Sequence, residues 1–91
     1  MPDVHHDPDH HLFSADVDGG TAQLEYRQKD DVIAFVHTFV PEPSRGQDVG
    51  EALVEAGLAF ARENDLSVIP QCPFVRHYVE THPETQDLIQ G

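Results

Sequence analysis

The chain has 91 residues, enough for one domain with a modest hydrophobic core and marginal stability. It carries 17 acidic against 5 basic side chains, a formal net charge of −12, which disfavours nucleic acid and anionic membrane surfaces as partners. One cysteine excludes an internal disulfide and reads as cytoplasmic, and the longest apolar run, Val32 to Val36, is too short to cross a bilayer. Only Lys29 is a lysine, and this acidic, lysine-poor balance suggests a salt-adapted source.

Residues 1–10 are acidic, His-rich and almost without apolar content, so they read as a disordered tail, unlike a signal peptide, ahead of a domain over 11–91. His5, His6, His10 and His11 lack the supporting context of a metal site, and no metal is assigned. Leu12 to Val17 and Thr21 to Arg27 alternate at period two around an Asp18-Gly19-Gly20 turn, which predicts a hairpin. Val32 to Val40 is nearly all apolar and β-prone, the pattern of a central strand covered on both faces. A helix follows from Asp48 to Glu63, with Val49, Leu53, Ala56 and Phe60 as its main stripe and Val54, Leu58 and Ala61 beside it. Asp48 fits its N-cap, with Glu51 completing a capping box, and Asn64 fits a left-handed stop. Leu66 to Ile69 reads as a strand parallel to the central one across this helix. Pro73 opens a second helix, with Phe74, Val75, Tyr78 and Val79 inward, and His82-Pro83 ends it. A short final helical turn then brings Leu88 and Ile89 back to the core. The order β-β-β-α-β-α belongs to the α+β class: a twisted mixed sheet with two main helices.

The join between strand and helix, Val40-Pro41-Glu42-Pro43-Ser44-Arg45-Gly46-Gln47-Asp48-Val49-Gly50, has the layout of an anion site. The first N–H groups of a helix lack intrahelical partners and sit at the positive end of its dipole. Gly46 and Gly50 leave room for a ligand at the backbone, and Arg45 adds a fixed cation.

Arg45-Gly46-Gln47-Asp48-Val49-Gly50 resembles the Arg/Gln-x-x-Gly-x-Gly/Ala signature of the GNAT acyltransferases, which cradles the pyrophosphate of acetyl-CoA. His37-Thr38-Phe39-Val40-Pro41, the helix from Ala52 to Ala61 and Ile69-Pro70-Gln71-Cys72-Pro73-Phe74-Val75 extend the likeness to the small single-domain GNAT-like family, over about residues 12–89. The resemblance implies a truncated GNAT-like fold, an N-acetyltransferase activity, acetyl-CoA as co-substrate and an amine acceptor. It implies that CoA contacts Arg45, Gly46, Gln47, Asp48, Val49 and Gly50, that the pantetheine arm pairs with the backbone of Phe39 and Val40, and that the acyl group lies near Cys72. Asp48 stands where the family usually has its first motif glycine, and a carboxylate there repels a pyrophosphate.

From the residues themselves, Cys72 ends a parallel strand and precedes a helix. A helix N-terminus favours a thiolate, so Cys72 is a candidate nucleophile with an accessible thiol, or else a small buried hydrophobe. His37 is a candidate general base that alternation places on the face of Phe35 and Phe39, or else a structural histidine; the thioester is expected between it and Cys72. Tyr78 is a candidate acid or CoA contact, or else a core tyrosine with a wet tip, while His77 and His82 read as surface residues. A non-catalytic CoA-binding or interaction module on the same scaffold, and a plain adaptor with an acidic face, are the alternatives. The acceptor and the oligomeric state are not encoded in any motif.

Overall fold

A computed structural model describes residues 3–89. Five strands form one sheet in chain order: β1 His5–Asp7, β2 Leu12–Val17, β3 Gly20–Lys29, β4 Val32–Phe39 and β5 Ser67–Pro70. β1 to β4 are antiparallel neighbours, and β5 pairs parallel with β4. The β4–β5 connection carries α1, Val49–Glu63, and α2, Pro73–Thr81, packs beside it. A 3-10 turn over Pro83–Leu88 returns the chain to the core, where Ile89 bridges to Val68. The α+β architecture and the two main helices match the expectation.

The strand β1 does not. It falls inside the stretch read as a disordered tail; Met1 and Pro2 of that stretch lie outside the described residues. Its anchor is aromatic. The His6 ring stacks on Phe13 at 4.3 Å and meets Phe60 edge-on at 4.6 Å, and its Nε2 hydrogen-bonds the Tyr26 hydroxyl. An imidazole packed as an aromatic ring gives a polar-looking segment an apolar function.

The sheet is covered on one face only. Phe13, Ala15, Ala22, Leu24, Tyr26, Ile33, Phe35 and Val68 are buried there, under α1. Val32, Ala34 and Val36 on β4 are only half-buried, so its uniform hydrophobicity overstated its burial.

The buried face of α1 is Val49, Gly50, Leu53, Val54, Gly57, Leu58 and Ala61, rotated from the expected stripe so that Ala56 and Phe60 are half-buried. Gly57 lies at its centre because a Cβ there would sit 2.7 Å from Cε1 of Phe35. The helix stops in a Schellman arrangement: Leu66 N–H donates to the Ala61 carbonyl at 2.8 Å, and Asp65 N–H to Arg62 at 3.4 Å. The left-handed residue is thus Asp65, φ 54°, one position beyond Asn64.

Candidate active site

The site begins where two strands part. The parallel ladder ends at Phe35 opposite Pro70, whose ring nitrogen has no hydrogen to extend it. The antiparallel ladder with β3 runs on to Phe39. Val36 to Phe39 therefore have a strand on one side only, leaving a notch. Cys72 closes its base, its N–H donating to the Phe35 carbonyl at 2.8 Å.

A bulge decides which side chains meet there. The β3–β4 register shifts between Glu25 and Tyr26, making Val36 an extra residue. Simple alternation would carry His37 onto the face of Phe35. Instead Thr38, opposite buried Leu24, returns to that face, and His37 lies exposed opposite Glu25. Thr38 Oγ1 lies 3.2 Å from Cys72 Sγ, a hydrogen bond between hydroxyl and thiol. The pair formed is Thr38 with Cys72, and the expected placement of a thioester between His37 and Cys72 does not hold. Cys72 occupies the N-cap position of α2 and is 5% exposed, so the accessible thiol expected at this position is a buried one.

The loop above the notch is built from a 3-10 turn, Glu42–Ser44, then Arg45, Gly46, Gln47 and Asp48. All four residues from Arg45 to Asp48 are exposed, and Gly46, φ 83°, has no atom within 4 Å of where a Cβ would point. Arg45 Nε donates to the Val40 carbonyl at 3.0 Å, which aligns its guanidinium along the loop. The first α-helical bond runs from Ala52 N–H to the Asp48 carbonyl, so the amides of Val49, Gly50 and Glu51 precede the ladder. Asp48 makes no side-chain cap bond and adopts φ 62°, ψ 20°, so the capping box does not form. This backbone conformation is the one glycine adopts at least cost. Gly50 differs from the expectation too: a Cβ there would lie 2.7 Å from Cζ of Phe74, so a ring fills the space meant for a ligand. Phe74, expected inward, is 37% exposed as it crosses Gly50, and Phe39 beside the notch is 45% exposed.

Between α1 and α2 runs a groove of about 500 Å³, lined by Gln47, Asp48, Glu51, Glu55, Tyr78 and His82. It brings three of the expected cofactor residues, Gln47, Asp48 and Tyr78, onto one surface. Tyr78 is buried, its hydroxyl donating to Glu55 Oε1 at 3.2 Å. Burial and then the charge of Glu55 push its pKa up to about 12, with Glu84 and Glu51 adding to the effect. It remains a neutral donor, ill-suited to release a proton near neutrality. His82 is no simple surface residue: it stacks on Tyr78 at 3.8 Å, while His77 is exposed.

A family model for the GCN5-related N-acetyl-transferases matches residues 12–88. The chain belongs to the GCN5-related N-acetyltransferase family. The Danio rerio protein NATD1 is 32% identical over 89 residues, covering 93% of this chain and 80% of its own. The solution structure of a GCN5-like protein from Staphylococcus aureus superposes with a TM-score of 0.77 at 32% identity, covering 98% of this chain and 88% of that one. The fold is thus a small GNAT fold with its sheet open on one face.

For a GCN5-related N-acetyltransferase the loop's donors suit an anion: one guanidinium and three helix-start amides. Sequence reasoning missed Thr38, Glu51, Glu55 and Phe74. Thr38 was hidden by the bulge. Glu51 and Glu55 were there to find, since spacings of three and four from Asp48 put them on its side of the helix. Among the described residues no cluster of histidine, cysteine and acidic side chains could hold a metal, and no helix is long and apolar enough to cross a membrane.

Proposed function

We propose that the chain is an acetyl-CoA-dependent N-acetyltransferase. The observation that carries the reading is the notch: a stretch of β4 backbone, paired with β3 on one side only, that ends, in one direction, at the Arg45–Val49 loop and, in the other, at Cys72. An extended pantetheine arm would add to that edge as a strand does. Arg45 and the helix-start amides would receive the pyrophosphate, and Phe39 and Val40 would flank the arm. The bound co-substrate supplies an acetyl group activated as a thioester.

Within this reading Cys72 either lines the acyl site or accepts the acetyl group on Sγ before an amine removes it. Thr38 holds the thiol in place in both cases. His37, exposed on the other face of β4, would serve as base only for an acceptor amine that reaches the thioester from that face. Release of CoA thiol with an amine library tests the activity, and rapid-quench mass spectrometry of the intact protein tests the route. An acetyl adduct on Cys72, with Cys72→Ala inactive, supports the two-step route. Activity retained in Cys72→Ala, with His37→Ala impaired, supports direct transfer. No thiol release with any amine defeats the enzyme reading.

One observation favours a second reading, a CoA-binding module without turnover. Asp48, Glu51 and Glu55 face the same groove, and their carboxylates oppose an anionic nucleotide. Acetyl-CoA that raises the thermal midpoint without yielding free thiol would establish that reading.

A further inference from the structure

Ser44 is 1% exposed, a buried polar side chain in a loop that is otherwise wet. Its hydroxyl donates to the Asp18 carbonyl at 2.8 Å, at the tip of the β2–β3 hairpin. The next residue, Gly19, has φ +92°, and a Cβ there would lie 2.8 Å from Cδ and Cγ of Pro43 and 3.3 Å from Cβ of Pro41. The hairpin tip is therefore pressed onto both prolines of the loop and latched to the serine between them and the arginine. Ser44 is tied at its other end as well. Its N–H donates to the Pro41 carbonyl at 2.9 Å, and its own carbonyl accepts the Gln47 N–H at 3.3 Å. A hairpin tip far upstream in the chain thus fixes where the Arg45–Asp48 segment begins and how it turns.

We propose that Ser44 is a positioning residue: through Asp18 it holds the loop so that Arg45 and the helix-start amides converge on one anionic group. The proposal rests on the reading that this loop receives the CoA pyrophosphate. Ser44 itself touches no ligand. Its removal changes the aim of the loop, not the notch, so its effect depends on which part of the co-substrate a ligand carries. Gly19 belongs to the same device, because any side chain there pushes the tip off Pro43.

The test compares acetyl-CoA with acetyl-pantetheine, which keeps the thioester arm and lacks the pyrophosphate. Ser44→Ala is expected to weaken acetyl-CoA binding roughly threefold to tenfold, the scale of one neutral hydrogen bond, and to leave acetyl-pantetheine unchanged. Ser44→Thr, which keeps the hydroxyl, is expected to restore affinity, and Gly19→Ala to reproduce the selective loss. In the ligand-free protein, Ser44→Ala is expected to speed amide exchange at Gln47. Equal loss for both ligands, or no loss for either, overturns the proposal. So does unchanged exchange at Gln47, even where acetyl-CoA does not bind. A parent that binds acetyl-CoA no more tightly than acetyl-pantetheine overturns the pyrophosphate reading of the loop and this proposal with it, while faster exchange at Gln47 would still mark Ser44 as the latch of a loop with another use.

Discussion

Under the middle of α1, Leu24, Phe35, Leu53 and Val54 are completely buried, and Gly57 leaves room for an aromatic ring. At the end of the same helix, Gln47 and Asp48 are exposed, Phe74 crosses Gly50 as closely as Phe35 meets Gly57, and three carboxylates line a groove. Both regions use glycine beneath a phenylalanine. In the core the ring is wholly buried; at the site it is 37% exposed, with solvent on one side. The first arrangement stabilises the fold. The second puts a surface ring over the start of α1, where the sequence had left space for a ligand.

Arg45→Ala tests the working end most severely. It is expected to weaken acetyl-CoA binding by about 1.5–3 kcal/mol, the scale of a hydrogen bond to a charged group, with the denaturation midpoint unchanged. Equal affinities in calorimetric titration would remove the anion site from this loop. The glycine pair tests the contrast directly. Gly57→Ala should destabilise by about 1–3 kcal/mol through overpacking against Phe35, more than the helix propensity of alanine returns. Gly50→Ala should cost less, because Phe74 can move outward. Similar costs in denaturant titrations would show that the two rings are equally fixed.

Asp48→Gly carries a smaller effect whose sign the backbone decides. With no cap bond to lose and φ 62° to relieve, stability should hold or rise by up to about 1 kcal/mol. Affinity for acetyl-CoA should tighten, and in the parent it should hold or rise with salt, as screening relieves the groove's carboxylates. A steep fall of parent affinity with salt would show that the cationic loop outweighs them.

The smallest effect lies at the far edge of the sheet. Burial holds His6 below its ordinary pKa of 6.5, with the charge of Asp7 opposing. The unfolded chain then takes up the proton more readily. The contribution of neutral His6 is fully present above 6.5 and is lost as pH falls from there through the lowered native value. His6→Gln should flatten this part of the stability–pH curve, measured as thermal midpoints from about pH 7.5 to about pH 5.5. An unchanged slope would assign the acid sensitivity to another group.

The contrast also explains what could be read from the chain. Periodicity located the β2–β3 hairpin and α1, apolar runs located β4 and β5, Pro73 marked the start of α2, and the loop from Arg45 to Gly50 stood out by its composition. Three features escaped it. β1 is short, and its anchoring residue is a half-buried histidine that packs as an aromatic ring. The bulge at Val36 lies within an unbroken apolar run, so nothing in the sequence signalled that Thr38 rather than His37 would meet Cys72. The left-handed turn at Asp48 came from tertiary context, since aspartate before a helix more often caps it from extended backbone.

The sheet lists its strands in space in the order the chain makes them. β1 to β4 are joined by short turns, and only the pairing of β4 with β5 waits for the crossover between Phe39 and Ser67. Local pairings form readily, while distant ones first meet the entropy of closing the intervening loop. The notch is a product of that one distant pairing, so it should be completed after the main folding barrier. Acetyl-CoA would then act as a brake on unfolding and have little effect on the speed of folding. Chevron plots with and without acetyl-CoA should differ in the unfolding arm alone; a faster refolding arm would mean that the notch already exists at the barrier.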